Sequence, residues 1–314
     1  MQNVSPSPAT RPLAVGFFSL VGLTYLLIVL GALVRANDAG LACPDWPLCF
    51  GKLIPRLDVK VAFEYTHRVV AGGLALWFVW LVRRTLHEPA LRGRCRAAIA
   101  LAAVLLVAQI ILGGFTVLHL LAAWTVTGHL LVGNAFAATL LWIALDLRDA
   151  ERGTPPASAA SSPIRAAAGA VALLLLLQTL LGGLVASRYA GLACTTWPAC
   201  GADGWFPSFE GAVGLHLLHR WNAALLLAAL LAAWLASRGA AGLRGLTTLA
   251  LSLAAAQFVV GVANVLLALP VEITGLHSAL AAALVLTWTA AARGSGLFRR
   301  RRSAEQASLL EAAR

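Results

Sequence analysis

Charge is what this chain has least of. Only 12% of its 314 residues are Asp, Glu, Lys or Arg, against about 25% in a soluble domain. With 60% of residues hydrophobic, an ordinary soluble fold is excluded and the bilayer is the solvent. Cysteine is also sparse, five in all, and none of the spacings is that of a zinc site. No group of carboxylates or thiolates accompanies the histidines, which argues against the usual copper and non-heme iron ligand sets.

What the chain does have is long apolar runs. A spanning helix needs about 20 mostly apolar residues, and eight windows qualify: 13–34, 61–82, 97–118, 124–145, 164–186, 212–236, 243–267 and 270–292. The expected class is therefore an all-α integral membrane protein with eight transmembrane helices. The first window follows Arg11 and could pass for a secretory signal. Its partner in the internal repeat lies mid-chain, so it is expected to be retained.

A net charge of +11 raises the question of nucleic acid, and the placement of the charge answers it. Alternating the eight spans puts 17 of the 24 basic residues on one side: Arg11, the 83–96 loop, Arg148, Arg152, Arg165, Arg238, Arg244, Arg293, the 299–302 run and Arg314. By the positive-inside rule that side is cytoplasmic, with both termini on it. The 299–302 run is then a topology anchor beside anionic lipid. The bilayer is the expected partner and nucleic acid is not.

The chain is a tandem duplication. The run GALVRANDAGLACPDWPLC from Gly31 to Cys49 returns as GGLVASRYAGLACTTWPAC from Gly182 to Cys200, displaced by 151 residues. His67-Arg68 returns as His219-Arg220, displaced by 152, and Gln109 and His129 return as Gln257 and His277, displaced by 148. Four spans per copy is an even number, so both copies insert in the same orientation, related by a pseudo-twofold axis along the membrane normal. Two four-helix bundles are expected: an N-terminal one in 1–150 and a C-terminal one in 164–298. A cytoplasmic linker, 151–163, joins them, and a basic cytoplasmic tail, 299–314, follows. The outer loops 35–60 and 187–211, rich in Pro, Gly and Trp, are expected to fold back over the bundle mouths.

Four cysteines make two Cys-x5-Cys pairs in those loops, Cys43/Cys49 and Cys194/Cys200, on the extracytoplasmic side where disulfides are permitted. For Cys194/Cys200 a plain staple and a redox role both stand open. Cys43/Cys49 leads into the acid described next, which favours function. Cys95, in the cytoplasmic 83–96 loop, reads as an unpaired thiol.

The chemistry concentrates at Glu64-Tyr65-Thr66-His67-Arg68, where an acid and an imidazole three residues apart share a helix face. The second copy reads His216-Leu217-Leu218-His219-Arg220, with His216 where the first has Glu64. His67, His129, His219 and His277 fall near the outer ends of the second, fourth, sixth and eighth spans. Imidazoles in hydrocarbon are costly unless they face the bundle interior and find a partner. Two facing imidazoles on adjacent helices of each half suit axial ligation of one heme iron. Glu64 is placed either to pass protons beside a bound macrocycle or to serve as a structural partner of Arg68 or a backbone amide. Arg68 and Arg220 would pair heme propionates or snorkel to headgroups, and His216 would hydrogen-bond near the iron or a propionate. His87 and His119 read as structural or solvated. Gly31, Gly72-Gly73, Gly113-Gly114 and Gly182-Gly183 read as close helix packing.

The loop GLACPDWPLC, the Glu64-Tyr65-Thr66-His67-Arg68 helix start and the four repeated histidines together resemble the heme A synthases, over residues 13–292. The resemblance implies a plasma-membrane enzyme that makes heme A from heme O for cytochrome oxidase, oxidising a porphyrin methyl to a formyl group by successive hydroxylations. It implies heme O as substrate and heme A as product in the N-terminal half, with His67, His129 and Glu64, and a resident heme b in the C-terminal half, with His219 and His277. It also implies a mechanistic part for Cys43/Cys49, with heme O synthase and an electron acceptor as partners and room for oligomers. The repeat reaches the same assignment independently, since a general acid/base belongs where a substrate is changed. Two other readings compete. One is a di-heme b-type carrier linked to quinol, without porphyrin modification. The other is a transporter built on the parallel repeat, which would spread intramembrane charge along the whole span.

Overall fold

The computed structural model describes residues 9–154, 160–201, 204 and 208–297. The basic tail 299–314 and part of the 151–163 linker lie outside the described residues. Eight helices follow one another: α1 (Thr10–Ala36), α2 (Val59–His87), α3 (Pro89–Leu118), α4 (Ala123–Glu151), α5 (Ser162–Ser187), α6 (Gly211–Ala236), α7 (Ala241–Leu266) and α8 (Val271–Ser295). Each is long and apolar enough to cross a bilayer. Even the 25 residues of α8, at about 1.5 Å each, exceed the roughly 30 Å hydrocarbon core. The protein is all-α, as the apolar windows predict.

The helices overrun those windows at the charged ends. The expected 83–96 loop is almost wholly helical: α2 runs to His87 and α3 starts at Pro89, leaving Glu88 as the turn. Hydropathy measures fit to lipid, whereas Arg and Leu favour helix in any solvent. Pro89 at the first turn of α3 marks the break, where its missing N–H costs nothing. Cys95 therefore lies on α3, free and fully buried. The start of α2 is fixed by Asp58, whose carboxylate accepts the Val61 N–H at 2.9 Å as an N-cap.

Among the described residues α1 packs on α2 and α4, and α3 also packs on both, so α1–α4 form a ring with α2 and α4 at opposite corners. The ring of α5–α8 has the same order. Phe17 and Leu20 of α1, Leu81 of α2 and Leu140, Ile143 and Leu147 of α4 are fully buried in one core, and Val171, Leu230 and Trp288 centre another. Lipid is as apolar as leucine, so close packing and buried polar contacts, rather than transfer from water, hold such helices together. α1 also packs on α8, and α4 on α5 and α8. Along that seam Thr127 and Ser187 hydroxyls meet at 3.1 Å near the cysteine loops. At the opposite end Arg293 of α8 grips Asp146 at 2.6 Å and Asp149 at 2.7 Å on α4.

Candidate heme site

The first outer loop is built on its own polar groups. Cys43 and Cys49 are disulfide-bonded with Cα atoms 4.8 Å apart. Asp45 turns its carboxylate inward to accept the amides of Phe50 (2.7 Å) and Gly51 (2.8 Å), a local side-chain-to-backbone turn of the kind Asp favours. The loop lies back over the bundle, with the Trp46 ring against Gly114 of α3. In the second loop Cys194 and Cys200 are bonded likewise, Thr196 takes the place of Asp45 and accepts the Gly201 amide at 2.8 Å, and Trp197 packs edge-on to Phe258 of α7.

One arginine from the following helix clasps each loop. Arg68 of α2 donates Nη1 to the carbonyls of Asp45 and Leu48, both at 2.7 Å, and Nη2 to that of Cys43 at 3.4 Å. Arg220 of α6 repeats this on Thr196 (3.0 Å) and Cys194 (2.7 Å). The partners expected of these arginines are headgroups or propionates; the contacts seen here are to loop backbone and, for Arg68, to Glu64. A loop carbonyl with no partner in its own strand or helix needs a donor, and a planar guanidinium with five N–H groups reaches several at once.

Glu64 is buried and both of its oxygens are engaged, Oε1 by Arg68 in an ion pair and Oε2 by the Cys43 amide at 2.8 Å. The carboxylate is thus tied to the helix that carries His67 and to the disulfide loop. In the second half His216 fills the corresponding position, also buried, with Nδ1 unpartnered. Among the described residues Arg220 has no ion pair with an acid.

His67 and His129 meet across the first ring of helices, with ring centroids 6.5 Å apart and planes at 62°. They come from opposite corners, α2 and α4, rather than from adjacent helices as expected. The diagonal placement sets the two rings facing each other across the bundle interior. His219 on α6 and His277 on α8 come from the corresponding opposite corners of the second ring. His119 stacks among Phe115 and Trp124 instead, a structural role.

The pairs fit a heme iron. A metal–imidazole bond is about 2 Å, so two ring centroids sharing one metal stand about 6 Å apart, close to the His67–His129 separation. Among the described residues no three His, Cys, Asp or Glu side chains gather to hold a bare ion. Two imidazoles are a sufficient protein contribution when a porphyrin supplies the equatorial nitrogens. The Gln109 amide nitrogen lies 3.3 Å from His129 Nε2, and that of Gln178 lies 3.4 Å from His219 Nε2. An amide donating there addresses the same lone pair that a metal would take.

Gln178 and Asn222 escaped the sequence reading. Asn222 donates to Gln178 Oε1 at 2.8 Å and to the Leu174 carbonyl at 3.0 Å, so an amide chain leads to His219. Their positions in the first copy hold Leu27 and Val70. The signal was present as a mismatch between the copies.

Residues 15–289 match the family model described as cytochrome oxidase assembly protein, COX15-CtaA. A heme A synthase of Shewanella oneidensis is 32% identical over 305 residues, covering 84% of this chain and 91% of its own length. One of Rhizorhabdus wittichii is 29% identical over 343 residues, covering 90% and 94%, and one of Caulobacter vibrioides is 28% identical over 341 residues, covering 92% and 98%.

Proposed function

This chain belongs to the COX15-CtaA family of cytochrome oxidase assembly proteins, and on that premise we propose that it is a heme A synthase acting on heme O. The observation that carries the reading is the repeat itself: two histidines on opposite helices in each half, with, among the described residues, a buried carboxylate beside those of the first half only. His67 and His129 hold the substrate, heme O, in the half formed by 1–150. His219 and His277 hold a resident heme b in the half formed by 164–298. When bound, heme b supplies one-electron chemistry at the second site.

The remaining work falls to the chain. Oxidising a methyl carbon to a formyl group, with water as the source of the oxygen atom, releases four electrons and four protons, so a proton acceptor beside the substrate is needed. Glu64 is that group, one turn from His67, and Arg68 holds its carboxylate in place. The Cys43–Cys49 loop, clasped by Arg68 and bonded to Glu64, closes the mouth of the site and limits water entry. Arg220 holds the second loop likewise, with His216 rather than an acid at the position matching Glu64. An electron acceptor completes the oxidation, and heme O synthase is the expected supplier of substrate. The basic-rich side, with both termini, faces the cytoplasm and the cysteine loops face outward.

The test is chemical. Pigment is extracted from membranes of cells that make heme O and express the protein, and the porphyrins are identified by mass. Glu64→Ala and Glu64→Gln retain heme O and yield little heme A. Undiminished conversion removes Glu64 from the chemistry. Two bound hemes with no conversion by the unaltered protein would favour the quinol-linked carrier.

A further inference from the structure

Each of the four imidazoles rests one edge on a glycine of a helix that carries no ligand. A Cβ built on Gly31 of α1 would stand 3.3 Å from Cε1 of His67, and one on Gly113 of α3 would stand 3.1 Å from that of His129. On Gly182 of α5 it would stand 3.1 Å from His219, and on Gly261 of α7 3.0 Å from His277. The contact keeps the register of the duplication: Gly31 and Gly182 are 151 residues apart, Gly113 and Gly261 148. General helix packing, the expected role of these glycines, does not account for it. Gly72 and Gly73 face open space, while Gly114 and Gly183, next to two of the four, meet Trp46 and Thr127 instead.

Hydrogen bonding supplies the second observation. A metal-binding histidine ordinarily donates its other ring N–H to a carbonyl or carboxylate, which fixes the rotation and tautomer of the ring. Here Nδ1 of His67, His129, His219 and His277 is buried and has no partner among the described residues. Gln109 and Gln178 reach His129 and His219 at Nε2, the position a metal would take, so with iron there and Nδ1 unpartnered the ring orientation has to come from shape. We infer, on the reading of the histidine pairs as heme ligands, that Gly31, Gly113, Gly182 and Gly261 are positioning residues. Each is a bare stretch of helix on which one imidazole is seated, taking over the task of the missing hydrogen bond and leaving Nε2 for the iron. A methyl group at any of them comes closer to the ring than ordinary van der Waals contact, and the ring gives way, because a packed helix backbone moves less readily than a side chain.

The experiment uses the full chain in detergent, with Gly→Ala at each of the four positions and Gly72→Ala and Gly73→Ala as controls. Alanine is the better helix former, so the helices themselves are not weakened. Hemin and heme O are titrated into heme-depleted protein, and the low-spin heme signal is recorded by electron paramagnetic resonance. Gly182→Ala and Gly261→Ala weaken hemin binding in the second half about 10-fold or more, the usual effect of disturbing what orients a ligating histidine, and shift that signal. Gly31→Ala and Gly113→Ala leave it alone and weaken heme O binding instead. The controls change neither. A variant that fails to accumulate passes its question to its repeat counterpart, which probes the same contact. Heme-loaded unaltered protein with indifferent Ala variants, or with equal changes in the controls, overturns the seats. Unaltered protein that takes up no heme overturns the ligand assignment beneath them.

Discussion

Replacing Arg68 by leucine should loosen the Cys43–Cys49 loop far more than Arg220→Leu loosens the Cys194–Cys200 loop, and the difference follows from the contacts. Both arginines hold the first cysteine carbonyl and the carbonyl two residues later, so those bonds cancel in the comparison. What remains on the Arg68 side is the Leu48 carbonyl and the ion pair with Glu64, whose side chains are 16% and 6% exposed. Stranding one member of so buried a pair costs about 3–5 kcal/mol. At about 1.4 kcal/mol per factor of ten, loop opening rises by about two to three and a half powers of ten more than for Arg220→Leu. Both disulfides are buried, so a water-soluble reductant reaches them through the opened loop, and the rate tracks its population. Reduction is timed by alkylating the freed thiols and counting each pair by peptide mass. The double variant Glu64→Leu with Arg68→Leu strands no charge and should return most of the way to the Arg220→Leu rate. A single variant within tenfold of Arg220→Leu, or a double variant as labile as the single, would refute the account.

Two further outcomes follow from polar contacts inside the bundles. Asn222→Val installs the residue found at the matching place in the first half and cuts the amide chain to His219. Because Gln178 faces His219 Nε2, the lone pair a metal would take, releasing it should raise hemin affinity in the second half with heme O binding unaltered, read by the same titration. Arg293→Leu strands Asp146 and Asp149, whose side chains are 17% and 18% exposed, at a cost of about 3–5 kcal/mol. The thermal midpoint in detergent should drop clearly, while Arg11→Leu leaves it unchanged, because the pair of Arg11 with Glu151 is loose at 3.8 Å and the arginine is 81% exposed.

The spans, the duplication and the placement of the four histidines were legible because the bilayer enforces them: apolar length and the rarity of intramembrane imidazole are properties of composition alone. Glu64 stood out for the same reason. The partners of Arg68 and Arg220 were not legible. They are backbone carbonyls 20 to 26 residues away, and a carbonyl leaves no trace in residue identity. The diagonal placement of α2 and α4 was hidden too, since chain order says which helices are joined but not which corner each takes. The helical 83–96 stretch was missed because a scale of transfer to lipid is silent about helices that continue into water.

Where the copies agree and where they part is itself informative. The loop clasp and the diagonal placement of the histidines survive in both. The polar groups around them have moved in opposite directions. The first half keeps an acid on the loop side, Glu64, and apolar Leu27 and Val70 where the second has Gln178 and Asn222. An amide nevertheless reaches a histidine Nε2 in both halves, Gln109 to His129 in the first and Gln178 to His219 in the second. What separates them among the described residues is the acid Glu64, fastened to Arg68 and the Cys43 amide, and the Asn222 amide that braces Gln178. A group that handles protons is wanted only where a bound molecule is changed, so the acid alone carries the distinction between the halves.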